Sequence, residues 1–523
     1  MKKDKLENFL KKNGFFILLA ILLLIGCSVR ILGIDRVPAG LNQDEASAGY
    51  EAYSLMEYGI DRNGNSFPIH FVAWGSGQNS LYSYLMIPFI KLLGLTSLAV
   101  RLPMAIIGCI TLFVMTYLIY QLSEKNRKAT LIATVFLVIC PWHIMKSRWG
   151  LESNLFPDLV LYAVAALLLG LKNKKKSRIY FAFALFGISC YSYGTSYFFM
   201  PLFLIPLLVY LIYQKKLTLK QACCSLGIVF VIVLPLLIFV VINTFDLPQI
   251  KFFNITIPRL VQNRYETISS VFSSDFLSKS WSNFIGGMKL FLFQKEDLPW
   301  NVMEGYGLIY LFSFPFTVIG FVHSFRKPKQ WQDTNLIFNF WFIAAFLLLF
   351  VCEPNVNRLN IMLFPFIYDT IVGIYCVIDR VKGSSVVITI LYTCFFYSFF
   401  YHYLALYQNQ LPSFETSLKE VVSYISQKEL DTVYVTDSIN QPYIYFLFYT
   451  KQDPREFKQS MVYEPNGEKV KSYGKYIFSL PEEIKPERKT IYVVPKTQGE
   501  IEKKDFDVTE IGKYLVLEAK EKE

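Results

Sequence analysis

Long apolar runs recur along this chain, and short clusters of lysine and arginine separate them. A run of about 20 apolar residues matches the thickness of a bilayer core. Inside that core the backbone must bond to itself, so the fold is confined to packed helices or a closed barrel. Runs of this length indicate helices. Composition agrees: 53% of the 523 residues are hydrophobic, 17% aromatic and 18% charged, with mean hydropathy +0.36. Net charge is +11. Residues 406–523 carry 17 Lys+Arg against 20 Asp+Glu, hence −3, which leaves +14 on the rest. Basic clusters between apolar runs mark loops over anionic lipid on the cytoplasmic side and do not indicate nucleic-acid binding.

The clusters order the topology. Lys2, Lys3, Lys5, Lys11 and Lys12 precede a first span, 14–34, with the N-terminus inside. Residues 35–96 then lie outside, with a short helix expected over Ala46–Tyr58 and an interfacial or re-entrant segment over Leu81–Leu95. Clusters at 124–128, 172–178 and 214–220 are cytoplasmic, which places Trp142–Asn154 and Tyr191–Tyr197 at external hairpin tips. The spans after the first are 97–121, 129–142, 155–171, 179–191, 197–213, 221–243, 304–324, 335–352, 359–378 and 384–405. A long external loop, 244–303, holds Arg259, Arg264, Gly286-Gly287 and Pro299-Trp300-Asn301. The Arg326–Lys329 cluster is the next cytoplasmic loop. The chain is thus a mainly α, polytopic membrane protein of about 11 transmembrane helices. Residues 1–405 form the membrane domain and 406–523 a small extracytoplasmic α/β domain. That domain has expected helices over Ser413–Lys428 and Pro442–Tyr449. Its expected strands are Thr432–Thr436, Tyr476–Leu480, Thr490–Val494 and Tyr514–Glu518.

The nine cysteines all lie in or beside apolar runs, and none falls in 395–523. Their spacing matches neither a zinc site nor a disulfide framework. An external domain without disulfides fits a bacterial envelope.

The chemistry concentrates in a few external stretches. Asp44 and Glu45 follow the first span, and the polar, Gly-rich stretch continues to Trp74-Gly75-Ser76-Gly77. A positioned carboxylate can take the proton of an attacking hydroxyl; the plain alternative is a solvated turn. Trp142–Asn154 brings His143, Lys146, Arg148 and Glu152 together. Lys146 and Arg148 suit a lipid phosphate, Glu152 or Asp158 could orient a substrate hydroxyl, and His143 is structural. The alternative for the cations is snorkelling. Arg358 and Asn360 open a late span, where a charge is a site candidate. Arg101 is expected to pair with an acid of the first loop. A divalent metal on Asp44, Glu45, His143 and Glu152 is conceivable but not favoured, so no cofactor is expected. No Gly-rich phosphate loop seats a nucleotide.

The order of these pieces resembles a known family. It comprises Asp44-Glu45 after the first span, Ala99-Val100-Arg101-Leu102-Pro103 opening the next, Ser147-Arg148-Trp149-Gly150, then Asn357-Arg358-Leu359-Asn360 and Phe364-Pro365. The chain resembles the C-type (GT-C) integral membrane glycosyltransferases, in the branch of protein O-mannosyltransferases and lipid A aminoarabinose transferases. The resemblance covers about 1–400. It implies transfer of a sugar from a polyprenyl-phosphate carrier on the extracytoplasmic face, by inverting single displacement. Asp44 would be the base and Glu45 its supporting carboxylate. Arg148, Lys146 and Arg358 would face the phosphate, with Glu152, Asp158, Asn360 and Arg101 positioning substrate. The expected partners are the lipid-linked donor, membrane lipids and an envelope acceptor (lipid, glycan polymer or protein). The expected location is a bacterial plasma membrane. The tail does not resemble the acceptor-binding modules of eukaryotic mannosyltransferases. Two rivals are a lipid-linked glycan polymerase or ligase, and a non-catalytic flippase or transporter.

Overall fold

The structure is a computed structural model. It describes residues 2–74, 77–262, 269–271, 273–294, 297–298, 300–325, 332–407, 414–465, 467–497 and 503–520. Gly75, Ser76, Arg264, Pro299 and the Arg326–Lys329 cluster lie outside the described residues. The chain divides into two compact units: Met1–Ile34, Met104–Leu234 and Tyr265–Leu406 in one, and Asp35–Pro103, Pro235–Arg264 and Tyr407–Glu523 in the other.

The chain is a multi-pass membrane protein. Among the described residues eight helices are long and apolar enough to cross a bilayer, or nine if one bent pair is a single span. All eleven expected spans coincide with helices, but not all are full length. The expected span 129–142 is Arg127–Ile139 followed, after a 55° bend, by Pro141–Ser147. Cys140 between them is extended, as the residue before a proline prefers. The expected span 179–191 is Lys176–Ser189, 14 residues. The expected span 304–324 starts late, as a short turn of helix at Leu311–Ser313 and then Phe314–Phe325. Its first residues are broken by Gly305 and Gly307, both in the left-handed region.

The stretch 244–303, expected as a long loop, is less irregular than its turn residues suggest. It contains the hairpin Ile250–Phe252 with Ile255–Ile257 and an 18-residue helix, Phe276–Phe293. Gly286-Gly287 reads as a turn but sits mid-helix. A Cβ on Gly287 would come within 2.5 Å of Leu349 Cδ2, so the glycine allows close approach to Gln332–Val351.

In the first unit, Phe314–Phe325 and Leu363–Arg380 touch backbone to backbone. A Cβ on Gly320 would meet the Asp369 carbonyl oxygen, and one on Gly373 the Phe316 carbonyl oxygen, well inside van der Waals distance. Small residues permit this contact between membrane helices, where dispersion and shape replace the hydrophobic effect.

In the second unit the stretch after the first span folds with the tail. Leu41–Asn42 pairs antiparallel with Phe414–Glu415. The helices Gln43–Tyr58 and Leu81–Leu93 follow, and His70–Phe71 pairs with Gln78–Asn79. The tail is a seven-stranded mixed sheet. Its order is Phe506–Ile511, Tyr514–Ala519, Thr490–Pro495, Thr432–Val435, Tyr476–Ile477, Val470–Tyr473, Val462–Tyr463. Thr432–Val435 runs parallel to both its neighbours, and the other pairs are antiparallel. Thr490–Pro495 is buried on both faces for five of its six residues, which explains its unbroken apolar run. Leu418–Ser426 and Pro442–Thr450 are the expected helices. The Pro454–Ser460 helix, capped by Asp453, and the strands Val462–Tyr463, Val470–Tyr473 and Phe506–Ile511 are additional.

Gly320→Ala and Gly373→Ala should each destabilise the protein by roughly 1–3 kcal/mol, because the added methyl meets backbone that cannot rotate away. Thermal unfolding in detergent checks this. Unchanged midpoints would show that the two helices can separate without penalty.

Candidate active site

Asp44 and Glu45 are not in a loop. They occupy the first turn of the Gln43–Tyr58 helix. Asn42 is the cap residue: its side-chain oxygen accepts from the Asp44 N–H at 3.0 Å, and the Glu45 carboxylate accepts from the Asn42 N–H at 3.2 Å. This is a capping box, which satisfies two orphan donors at a helix start. Asn42 three residues before Glu45 is its sequence signature, masked by the reading of the acidic pair as a turn.

Glu45 is fully buried and committed to Arg101. Arg101 Nε donates to Oε1 at 2.7 Å and Nη2 to Oε2 at 2.8 Å. The same guanidinium bonds the carbonyls of Pro38 at 2.7 Å and Gly40 at 2.5 Å. Arg101 therefore pairs with an acid of the first external stretch, and it also staples the chain entering the helix. Glu45 has both oxygens engaged, so it acts as a clamp on Asp44's backbone.

Asp44 is half-buried. Burial raises its carboxyl to about 6, the neighbouring Glu45 charge adds to this, and a hydrogen bond from the Trp74 side chain opposes it. The Trp74 donor is its indole N–H, the only polar group the ring has. A carboxylate poised there holds its proton weakly enough to act as a base near neutrality. Gln78 Nε2 also reaches the Asp44 carbonyl at 3.4 Å.

A second buried network underlies Trp74. Arg62 and Glu51 form a fully buried ion pair, with the Arg62 N–H on Glu51 Oε2 at 3.0 Å. Arg62 Nη1 donates to the Tyr443 hydroxyl at 2.9 Å and Nη2 to Ser47 Oγ. Asp61 accepts from the N–H groups of Asn63 and Asn65 at 2.9 and 2.7 Å. Burial pushes the Asp61 carboxyl upward, and the Glu51 charge adds to that. His70 stacks on Phe239 at 4.5 Å, and burial pushes its imidazole down to about 4, so it is neutral.

In the first unit, the residues of the expected external tip Trp142–Asn154 are buried throughout. Lys146 forms an ion pair with Asp158 and reaches the Asn154 carbonyl at 3.3 Å. Thr111 donates to Asp158 at 2.7 Å. Arg148 donates to the carbonyls of Val29, Leu32 and Gly33 at 2.6, 3.0 and 3.1 Å. These lie at the C-terminal end of the Lys2–Ile31 helix, where carbonyls lack partners in the helix itself. Arg30, which sequence reading passed over, is fully buried. It donates to His143 Nδ1 at 3.1 Å and to the Gly26 and Leu137 carbonyls at 2.9 Å. Glu152 is buried in the first turn of Glu152–Lys172. The cations of this stretch thus hold helices together.

Arg358 is different: it is half-buried and bound to the exposed Glu353 at 2.7 Å. Asn355 caps its short helix, accepting from the Arg358 N–H at 2.9 Å. Asn360 is buried, with Nδ2 on the Ser153 carbonyl at 2.8 Å, and its amide oxygen finds no partner among the described residues. Among the described residues no three His, Cys, Asp or Glu side chains gather as a metal site would require.

The comparisons bear on this arrangement. A family described as dolichyl-phosphate-mannose-protein mannosyltransferase matches residues 78–239. No curated protein sequence matches the chain. The crystal structure of ArnT from Cupriavidus metallidurans in the apo state superposes with a TM-score of 0.57 at 12% identity, covering 97% of this chain and 98% of that one. ArnT from the same organism bound to undecaprenyl phosphate gives 0.54 at 13%, with the same coverage. The chain has the GT-C membrane glycosyltransferase fold. That fold is also shared with the Archaeoglobus fulgidus oligosaccharyltransferase, at a TM-score of 0.55 and 14% identity, over 83% of this chain and 61% of that one.

Arg101 meets Glu45 as the sequence leads one to expect, whereas the buried Glu51–Arg62–Tyr443 network has no counterpart among the sequence expectations. The missed residues are separated by up to hundreds of positions and share no spacing signal. Arg101→Ala should destabilise the protein by about 3–5 kcal/mol, because Glu45 is left buried without its partner. Thermal unfolding in detergent reads this; a change under 1 kcal/mol would mean water reaches Glu45.

Proposed function

We propose that this protein is a glycosyltransferase that takes a monosaccharide from a polyprenyl-phosphate carrier and transfers it to an envelope acceptor on the extracytoplasmic face. The observation that carries the reading is Asp44: a half-buried carboxyl raised to about 6, fixed in the first turn of a capped helix whose next residue is clamped by Arg101. The fold likeness to ArnT structures supports the donor class, because one of them holds undecaprenyl phosphate. The basic cytoplasmic clusters support the face.

In this mechanism the acceptor hydroxyl gives its proton to Asp44 as its oxygen bonds the anomeric carbon. The bond from that carbon to the phosphate oxygen breaks in line, the configuration inverts, and the lipid phosphate leaves with the electron pair. Glu45 and Arg101 hold the helix start and do not touch substrate. The helix N-terminus favours the ionised carboxylate, which offsets part of the burial effect. Charge building on the leaving phosphate calls for a cation. Of Arg148, Lys146 and Arg358, the first two are buried and bond groups of the fold itself, and Arg358 is the candidate contact for an anionic group. A monosaccharide donor is preferred to a lipid-linked oligosaccharide, although the likeness to an oligosaccharyltransferase supports the second.

Membranes carrying wild type or Asp44→Asn are offered radiolabelled polyprenyl-phosphate mannose, glucose, galactose and N-acetylglucosamine. Label should enter an envelope product with wild type only, with a loss of at least about 100-fold in the variant. Transfer by Asp44→Asn would sink the base assignment, and transfer only from a diphosphate-linked oligosaccharide would move the protein to the ligase class. The ionised carboxylate is the active form, so turnover should fall as pH drops through about 6. An acid limb near 4 would mean Asp44 is not the titrating group. Arg358→Ala should raise the KM for the donor about tenfold, with folding intact; an unchanged KM removes it from the phosphate.

A further inference from the structure

The tail has no assigned part in the reaction, yet one of its side chains closes a path to Asp44. Tyr443 lies in the Pro442–Thr450 helix and is buried. Its hydroxyl accepts from Arg62 Nη1 at 2.9 Å, and its ring meets the Trp74 ring edge-on at 6.0 Å. Behind it, Phe457 stacks at 5.9 Å. The Arg62 guanidinium carbon is 5.4 Å from the Trp74 ring centroid, within cation–π range. Trp74 in turn hydrogen-bonds Asp44. Arg62 cannot swing away, because Glu51 and Ser47 hold its other nitrogens. A cation over the indole face also draws electron density from the ring, which strengthens its N–H as a donor.

We propose that Tyr443 of the C-terminal domain is a positioning residue for Asp44, acting through Arg62 and Trp74 to hold the indole N–H against the carboxylate. Its catalytic consequence rests on the reading of Asp44 as the base; the contact itself does not. The other charged or titratable groups around Asp44 are Glu45 on its own helix, Arg101 facing Glu45, and Tyr445 from the tail helix, which senses both acids. The path from Tyr443 reaches Trp74 by way of Arg62, so removing the Tyr443 hydroxyl tests it separately.

The test uses the full chain in membranes and needs no sugar donor. Dicyclohexylcarbodiimide reacts with protonated carboxyls, and mass spectrometry of the Asp44 peptide follows the rate from pH 4 to 8. In wild type the rate should halve near pH 6. Trp74→Phe removes the donor that favours the ionised form, so the midpoint should rise by about one pH unit. Tyr443→Phe keeps the ring and removes the hydroxyl. Its midpoint should rise by less, and adding it to Trp74→Phe should change nothing further. Misfolded protein would show itself by the opposite shift, toward the ordinary carboxyl value near 4. Equal midpoints in all four proteins, a Tyr443→Phe shift that persists in full on top of Trp74→Phe, or no labelling of Asp44 at any pH would overturn the proposal. Asp44→Asn turnover tests the base reading separately: an active variant would remove the catalytic consequence and leave the labelling result standing.

Discussion

A charge that cannot reach water must find its partner inside the protein, and much of this structure follows from that constraint. Arg101 answers Glu45, Arg62 answers Glu51, and Lys146 answers Asp158. Arg30 and Arg148 have backbone carbonyls and an imidazole instead of an acid. Arg30, Arg62, Arg101 and Arg148 tie together segments distant in sequence, and Lys146 joins two successive helices. The fold is therefore cross-linked by buried polar contacts as well as packed by apolar helices, and each contact is worth more as a specifier of register than as net stability.

The same constraint separates the acidic pair into two roles. Adjacent residues on a helix point about 100° apart, so Asp44 and Glu45 meet different surroundings. Glu45 turns inward to Arg101 and to the Asn42 N–H, which engage both its oxygens. Asp44 turns to a half-buried position under a single indole donor.

How much of this was legible in the sequence depends on the range of the signal. The spans, the helix over Ala46–Tyr58 (though not its start at Gln43, which takes in the acidic pair), the pairing of Arg101 with an acid of the first loop and most tail strands follow from local periodicity or from one charge in an apolar run. The helix Phe276–Phe293 was hidden because Gly286-Gly287 looks like a turn, whereas Gly287 makes room for Gln332–Val351 and Gly286 for Pro354. Lys146 and Arg148 were expected at an exposed tip, because topology rules count basic residues and not their depth. A broken span, Arg127–Ile139 with Pro141–Ser147, buries that tip. The Glu51–Arg62–Tyr443 network could not be read at all: Tyr443 lies 381 positions from Arg62, and neither carries a spacing that announces the other.

A buried carboxyl at a helix start is pulled in two directions. A carboxyl in a water-poor site is driven toward its neutral form, which cannot accept a proton. Too many donors would drive it the other way and leave it too weak a base to act near neutrality. Asp44 lies between these limits. Burial and the Glu45 charge raise it, while one indole hydrogen bond lowers it. The clamp on Glu45 matters here too, because a fixed guanidinium beside that carboxylate offsets the repulsion Asp44 would otherwise meet when it ionises. The state of Asp44 therefore depends on neighbours drawn from the span that carries Arg101 and from the loop that carries Trp74.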